Sequence, residues 1–491
     1  MSVTYQNDAF EPWPETLKKE SPSVSSDKQE DQKHSEAETS QEEPRKRRWR
    51  LFKQTLLVLN MSMAMWGIGS INIFSSVIAH DQETHNTTIY GNLITFSDYE
   101  FDELNSLKTL ATLASSCLTG VMMNHFGRRS CMAISGMLAI AGWIGIAFVS
   151  NVNGMLGFRI ISGLAVSGLR MSTAAYVVEI VDREIRGTMA SIVGSGVFAG
   201  HVVTLGLSFA FRYYTVCLLL TIFQAISLVS IFWFPTSPSV LVLQGREEQA
   251  REALVRLRGT HADIDAEIQV YKDANQVTKG NRSAWKSLFA REVIADLARV
   301  CTLCIFTHFT GFYLILSNVL RVFKESRSSL DNHIASNIVA FIQFVSVLFA
   351  SMLVDKLGRR NSLMMSFGIT SVPLAVMAAY SASLSDSTQE TNYAWIPVVC
   401  MVIAEATVVL GAVPVTHILC SEYFPTFLRP QALSICGLTF NLAGFLLLQF
   451  YTQMIEGMTA TGVFAMYSCS CVVAVIFTFF AIKETRGEYI G

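Results

Sequence analysis

Apolar residues fall in runs of about 20 along most of the chain, with short polar stretches between them. Runs of that length cross a bilayer core about 30 Å thick. The clearest extend from Leu51 to Ala79, Ser130 to Val149, Tyr214 to Phe234 and Met458 to Ile482. Twelve spans are predicted, near 54–79, 103–123, 131–150, 155–176, 189–211, 214–235, 299–319, 333–354, 361–383, 394–420, 431–453 and 458–482. One long polar segment, about 239–295, divides six spans from six. Inside it Ala250, Ala253, Leu254 and Leu257 recur at i, i+3, i+4, i+7 among Arg246, Glu247, Glu248, Arg251 and Arg256. That pattern predicts an amphipathic helix on the aqueous face. The expected organisation is a disordered tail 1–44, a six-helix bundle 45–238, a linker 239–295, a second six-helix bundle 296–482 and a short terminus 483–491. The fold class is an all-α membrane protein of twelve transmembrane helices in two pseudo-symmetric bundles.

Composition agrees. The 491 residues are 51% hydrophobic and 15% charged, against roughly 25% charged in a soluble domain. A soluble enzyme is not expected. The net charge of −2 says less than its distribution. Residues 1–44 carry few aliphatics and cannot bury enough surface to order themselves. No apolar stretch lies near Met1, so no cleaved signal peptide is expected. The block Arg45-Lys46-Arg47-Arg48-Trp49-Arg50 reads either as a nucleic-acid or nuclear signal or as a membrane anchor. A span follows at once, which favours the anchor; no nucleic-acid partner is expected, and the bilayer is the expected environment. Basic residues stay cytoplasmic, which places both termini inside. The loop 80–102 has no Lys or Arg, whereas the inside turns carry Arg128-Arg129, Arg183, Arg186, Lys356, Arg359-Arg360 and Arg429. One outside loop disagrees, with Arg321, Lys324 and Arg327. Asn86-Thr87-Thr88 is a glycosylation sequon in the first outside loop; Asn281-Arg282-Ser283 falls inside, where it would not be used.

The ten cysteines are scattered through apolar runs, so no disulfide framework is visible. Cys301 and Cys304 form a C-x-x-C spacing without a second ligand pair, so no metal is expected. No phosphate loop suggests ATP, no nucleophile–base set suggests an enzyme, and no cofactor is expected.

Two signatures occur once in each half. Gly120-x3-Asn124-x2-Gly127-Arg128-Arg129 matches Ser351-x3-Asp355-x2-Gly358-Arg359-Arg360, and Glu179-x6-Arg186 matches Glu422-x6-Arg429. Glycine permits the tight reversal. The arginines sit at the membrane edge, within reach of Glu179 or Glu422. These residues are expected to form a cytoplasmic gate, a latch that breaks as that side opens; the alternative is plain positive-inside anchoring.

On these residues the chain resembles the major facilitator superfamily, and within it the sugar porters. Arg159, Gly163, Tyr176, Glu179 and Arg186-Gly187 also match, as do Pro235-x-Ser237-Pro238, Ser421-Glu422-x-Phe424-Pro425-x3-Arg429 and Glu484-Thr485-Arg486-Gly487. The resemblance covers about 45–490. It implies two bundles around a central site worked by alternating access, with a plasma-membrane location. It also implies substrate-site positions at Gly194, Thr307, His308, Gly311, Tyr313, Gln343, Pro414, His417 and Asn441. There the chain departs from the family. Span 7 reads Thr307-His308-Phe309-Thr310-Gly311-Phe312-Tyr313 where sugar porters carry Gln-Gln-x-Ser-Gly-x-Asn. Gly194 replaces a glutamine, Gln343 an asparagine and His417 a sugar-stacking tryptophan; Asn441 is retained, but Leu442 replaces the tryptophan after it. A sugar needs amides that donate and accept. Each hydroxyl left unpaired costs roughly 1–3 kcal/mol.

Ionisable groups inside spans are functional candidates by default. Arg159, Arg170, His201, His308, Glu405 and His417 are the clearest. His308 and His417 are expected to bind an anionic or aromatic group or to carry a proton. Span 1 contains no Asp or Glu, which favours facilitated diffusion over proton symport. The expected function is alternating-access transport of a sugar or another small polar organic solute. The alternatives are a solute sensor, with the tail reaching cytosolic partners that remain unknown, and a proton-coupled organic-anion transporter.

Overall fold

A computed structural model describes residues 44–182, 185–258, 264–279, 291–325, 331–385, 394–424 and 428–485. The tail 1–43, Arg183, the Asn281 sequon, Arg327, the loop 386–393 and residues 486–491 lie outside these, as do the side chains of Asn124, Arg186 and Lys324.

Helices account for nearly all of the described chain. The first half comprises α1 (Pro44–Thr84), α2 (Asp98–Phe148), α3 (Val152–Ile180), α4 (Arg186–Ala210) and α5 (Tyr213–Ile231). The linker holds α6 (Pro238–Leu243), α7 (Glu247–Arg258) and α8 (Ile264–Lys279). The second half comprises α9 (Arg291–His308), α10 (Phe312–Ser317), α11 (Val319–Glu325), α12 (Asn332–Leu357), α13 (Arg359–Ser385), α14 (Ile396–Thr407), α15 (Val413–Glu422), α16 (Arg429–Gln449) and α17 (Tyr451–Ala481). Eleven described helical stretches are long and apolar enough to cross a membrane. The twelfth crossing is the first part of α2, which Lys108 and several serines and threonines make more polar. Twelve crossings in two bundles agree with the organisation expected from the sequence.

Sequence sets the boundaries. α2 opens with a capping box: Ser97 and Glu100 satisfy each other's backbone N–H groups. Asn151 caps α3 by accepting from Gly154 N at 3.0 Å. Gly127 breaks α2 at φ 83°, and Gly358 divides α12 from α13 at φ 85°. These left-handed positions favour glycine, and they recur at equivalent turns. Span 7 is discontinuous, because Gly311 (φ 80°) separates α9 from α10. Span 10 carries a π-turn over Val408–Ala412 between α14 and α15, a distortion frequent at functional sites.

Each half has its own core. One gathers Ile68, Phe74, Trp143 and Tyr176; the other gathers Phe323, Phe367, Phe424 and Tyr467. Ile73 and Leu205 of the first half join the second core, which welds the bundles together locally. α1 and α4 cross at backbone contact. A Cβ on Gly69 would strike Val197 O, and one on Gly200 would strike Trp66 O. Small residues at such crossings are how membrane helices pack closely. The linker helices bury Ala250, Ala253 and Leu254 against Leu241, Ile264 and Ile268. Leu257 reaches the first core instead, and its carbonyl accepts from Gln54 at 3.2 Å.

Candidate substrate cavity and gates

At the arginine-bearing end, the two repeats form matching clasps. Arg128 pairs with Glu179 at 3.0 Å, and Arg359 pairs with Glu422 at 3.2 Å and Asp355 at 3.3 Å. The segment after each sixth span completes the clasp. Ser237 and Ser239 donate to Glu179, and Thr485 donates to Glu422. Glu484 accepts from the backbone N–H of Arg359 and Arg360 at 2.8 and 3.1 Å. Tyr176 donates to Pro235 O, and Tyr423 accepts from Lys483 N at 2.7 Å. Arg129 holds the carbonyls of Phe232 and Phe234; Arg360 holds that of Phe479. Arg429 reaches Phe424 O at 3.5 Å. Each ion pair therefore ties helices of one half to each other, not one half to the other.

Ion pairs that do join the halves sit at the opposite end. Arg321 reaches Asp102 at 3.3 Å and Asp98 at 3.3 Å and lies over the ring of Tyr451. Asp102, 1% exposed, also accepts from Thr452 N at 2.7 Å. Tyr99 donates to Glu456 at 2.6 Å, and Ser106 to Gln449 at 2.6 Å. The loop beside them is held by Arg212, which pairs with Asp81 at 2.7 Å and donates to Thr87 O. Asn86 sits in that loop, half-buried at φ 52° with its Oδ1 buried. The basic loop that breaks the charge rule is explained in part: Arg321 is folded inward, with its charge matched by carboxylates.

Between the two ends, polar groups of both halves face one another. Lys108 of α2 and Tyr313 of α10 both approach Asn72 Oδ1, each at 3.4 Å, and the Lys108 ammonium lies 5.3 Å from the Tyr313 ring centre. Ser75 donates to Ser317 O at 2.7 Å, and Asn105 to Asn318 at 3.3 Å. Arg170 of α3 is accessible and lies within electrostatic reach of Tyr313 and His417 on the facing half. It thus lies on the side of α3 that faces the second half. His417, also accessible, has its Nδ1 2.9 Å from Val413 O. His308 is buried, with Nε2 unpartnered. Phe440 lies between the two rings, 4.1 Å from His308 and 5.0 Å from His417. Thr307 and Thr416 share a hydrogen bond at 2.8 Å.

The structure thus brings Tyr313, His308, His417 and Thr307 together along α9, α10, α15 and α16. Gly311 supplies the break that turns Tyr313 toward Asn72, and Pro414 opens α15 directly after the π-turn. Gly194 faces open space, and Asn441 spends its amide on Gly437 O of its own helix. Gln343 donates to buried Glu405 at 2.7 Å. Gln343→Ala would strand that carboxylate. We expect it to destabilise the fold by about 1–3 kcal/mol, read as a drop in thermal midpoint, and Gln343→Glu to be no better tolerated. Lys108 and Asn72 were not singled out from sequence; a lysine inside a predicted span was the available signal. Among the described residues, no group of three or more His, Cys, Asp or Glu is placed to hold a metal ion.

The family model described as "Sugar (and other) transporter" matches residues 56–490. Similar curated proteins include the facilitated trehalose transporters Tret1 of Drosophila virilis and Aedes aegypti. Each is 25% identical over 89% of this chain, and the matches cover 48% and 54% of those proteins. The chain thus spans about half the length of these two relatives. Among solved structures, an inward-open xylose transporter XylE from E. coli superposes with a TM-score of 0.71 at 20% identity, covering 89% of this chain and 98% of that one. With a match over nearly the whole membrane-spanning part, the chain belongs to the sugar (and other) transporter family of the major facilitator superfamily.

Proposed function

We propose that the protein carries a sugar-sized polar solute through a membrane by alternating access, as a facilitator and not as an enzyme. The observation that carries this reading is the asymmetry of closure. Asp102 and Arg321 seal one end across the halves, while the clasps at the other end leave each half self-contained. The cavity residues of both halves lie between these ends. In this reading the arginine-bearing end is cytoplasmic, as the positive-inside rule requires, and the protein is in an inward-facing state. The absence of Asp and Glu from 54–79 supports uniport. We place it in the plasma membrane, and the trehalose and xylose transporters it resembles make sugars the first class to assay. Purified protein in proteoliposomes should show saturable counterflow of a labelled solute from a panel of trehalose, glucose, xylose and their acidic derivatives. A complete lack of flux across that panel would refute transport.

A further inference from the structure

We propose that the cavity binds its solute through an oxyanion, so that the cargo is an organic anion of sugar size. This deepens the transport reading and rests on it. Three cations lie in the membrane-spanning part of the first half, and they differ in what they touch. Arg159 is fully buried and spends its guanidinium on Leu104 O and Ile71 O, at 3.2 and 2.8 Å. It is structural. Lys108 has only one amide oxygen and the face of Tyr313. Arg170 makes no hydrogen bond and no ion pair among the described residues. No described carboxylate lies within electrostatic reach of any of the three. Glu405, a buried carboxyl group of the facing half, is engaged by Gln343 and acts on none of them.

A charge inside the membrane-spanning part either pairs or faces a water-filled cavity, and such charges mark substrate pathways. Two cations converging on Tyr313 from α2 and α3 form a site that is incomplete until an anion enters. The chemistry fits an oxyanion. Arg170 offers a planar fork that matches carboxylate or phosphate, and Lys108 offers a compact charge beside it. His308, with its unpartnered Nε2, and the hydroxyls of Thr307 and Thr416 remain for the polar frame of the solute. A neutral sugar would leave both cations unmatched.

The test uses purified full-length protein in nanodiscs and in proteoliposomes, at constant ionic strength set with NaCl. Glucose, glucuronate and glucose 6-phosphate are the probes; the two anions separate a carboxylate from a phosphate. Glucuronate or glucose 6-phosphate should raise the thermal midpoint and compete in counterflow, and glucose should do neither at the same concentration. Arg170→Gln should weaken that anion by about 10- to 100-fold. Lys108→Met should do the same while raising the thermal midpoint of the unliganded protein, because it removes a buried charge without losing volume. Saturable glucose counterflow that neither anion competes with, or anion affinity unchanged in both variants, overturns the proposal. An anion-induced midpoint shift without any flux keeps the anion site and refutes transport. Neither shift nor flux with any anion refutes the anion site directly.

Discussion

Arg321→Ala should open the sealed end and give the largest functional change of any single substitution. The guanidinium neutralises Asp102 and Asp98 from the opposite half and covers Tyr451. Its loss leaves Asp102, almost fully buried, held by Thr452 without a countercharge. Removing one partner of a buried pair costs about 3–5 kcal/mol. Here that cost falls on one conformation only, since the pair exists only while this end is closed. A penalty of about 3 kcal/mol moves a two-state equilibrium by more than a hundredfold. The measurement is labelling by a membrane-impermeant maleimide at Thr109→Cys, a buried site below the seal, with the exposed Cys117 and Cys469 replaced by serine. Labelling should be slow with Arg321 intact and fast in the variant. An unchanged rate would mean that the ion pair does not hold the seal. Asp102→Asn keeps an acceptor for Thr452 and should give a smaller shift in the same direction.

Gly200→Leu should abolish the folded state. At this position α4 touches α1 backbone to backbone, and a Cβ meets Trp66 O with no room to yield. Overpacking a flexible neighbour costs about 1–3 kcal/mol, and a clash with main chain exceeds that because a whole helix must move. Most of the protein should elute as aggregate after solubilisation. Gly206→Ala, on the same helix with nothing within 4 Å of a Cβ, should instead be neutral or stabilising by about 0.5–1 kcal/mol. Normal yield and thermal midpoint for Gly200→Leu would disprove the tight crossing.

The fold was legible because a bilayer demands long apolar runs, and the chain supplies them between charged turns. The pairing of Arg128 with Glu179 and of Arg359 with Glu422 was legible too, since repeated spacing brings the same ends together twice. What the pairs join was not legible. Spacing along the chain cannot say whether an arginine reaches a helix of its own half or of the other. The gate at Asp102 and Arg321 was hidden for a related reason: the two are separated by half the sequence, and Arg321 looked like a loop charge on the wrong side. Lys108 escaped because a single lysine barely changes the hydropathy of a span. The break at Gly311 and the π-turn at 408–412 depend on packing against other helices, which local propensity does not encode. Thr307, His308, Tyr313 and His417 were singled out by resemblance; the placing of His308 and His417 on either side of Phe440 came from the structure.

The unbalanced guanidinium groups of Arg159 and Arg170 have an electrical consequence. An arginine keeps its charge at any physiological pH, so the empty carrier holds fixed positive charge within α3. As the seal moves from one end to the other, that charge changes which side's potential it feels. Each full elementary charge is worth about 2.3 kcal/mol per 100 mV. A voltage negative on the cytoplasmic side therefore draws the empty carrier toward the inward-facing state, while a bound anion cancels part of that pull. The rate at which the unloaded protein resets should then depend on voltage more steeply than the loaded step does.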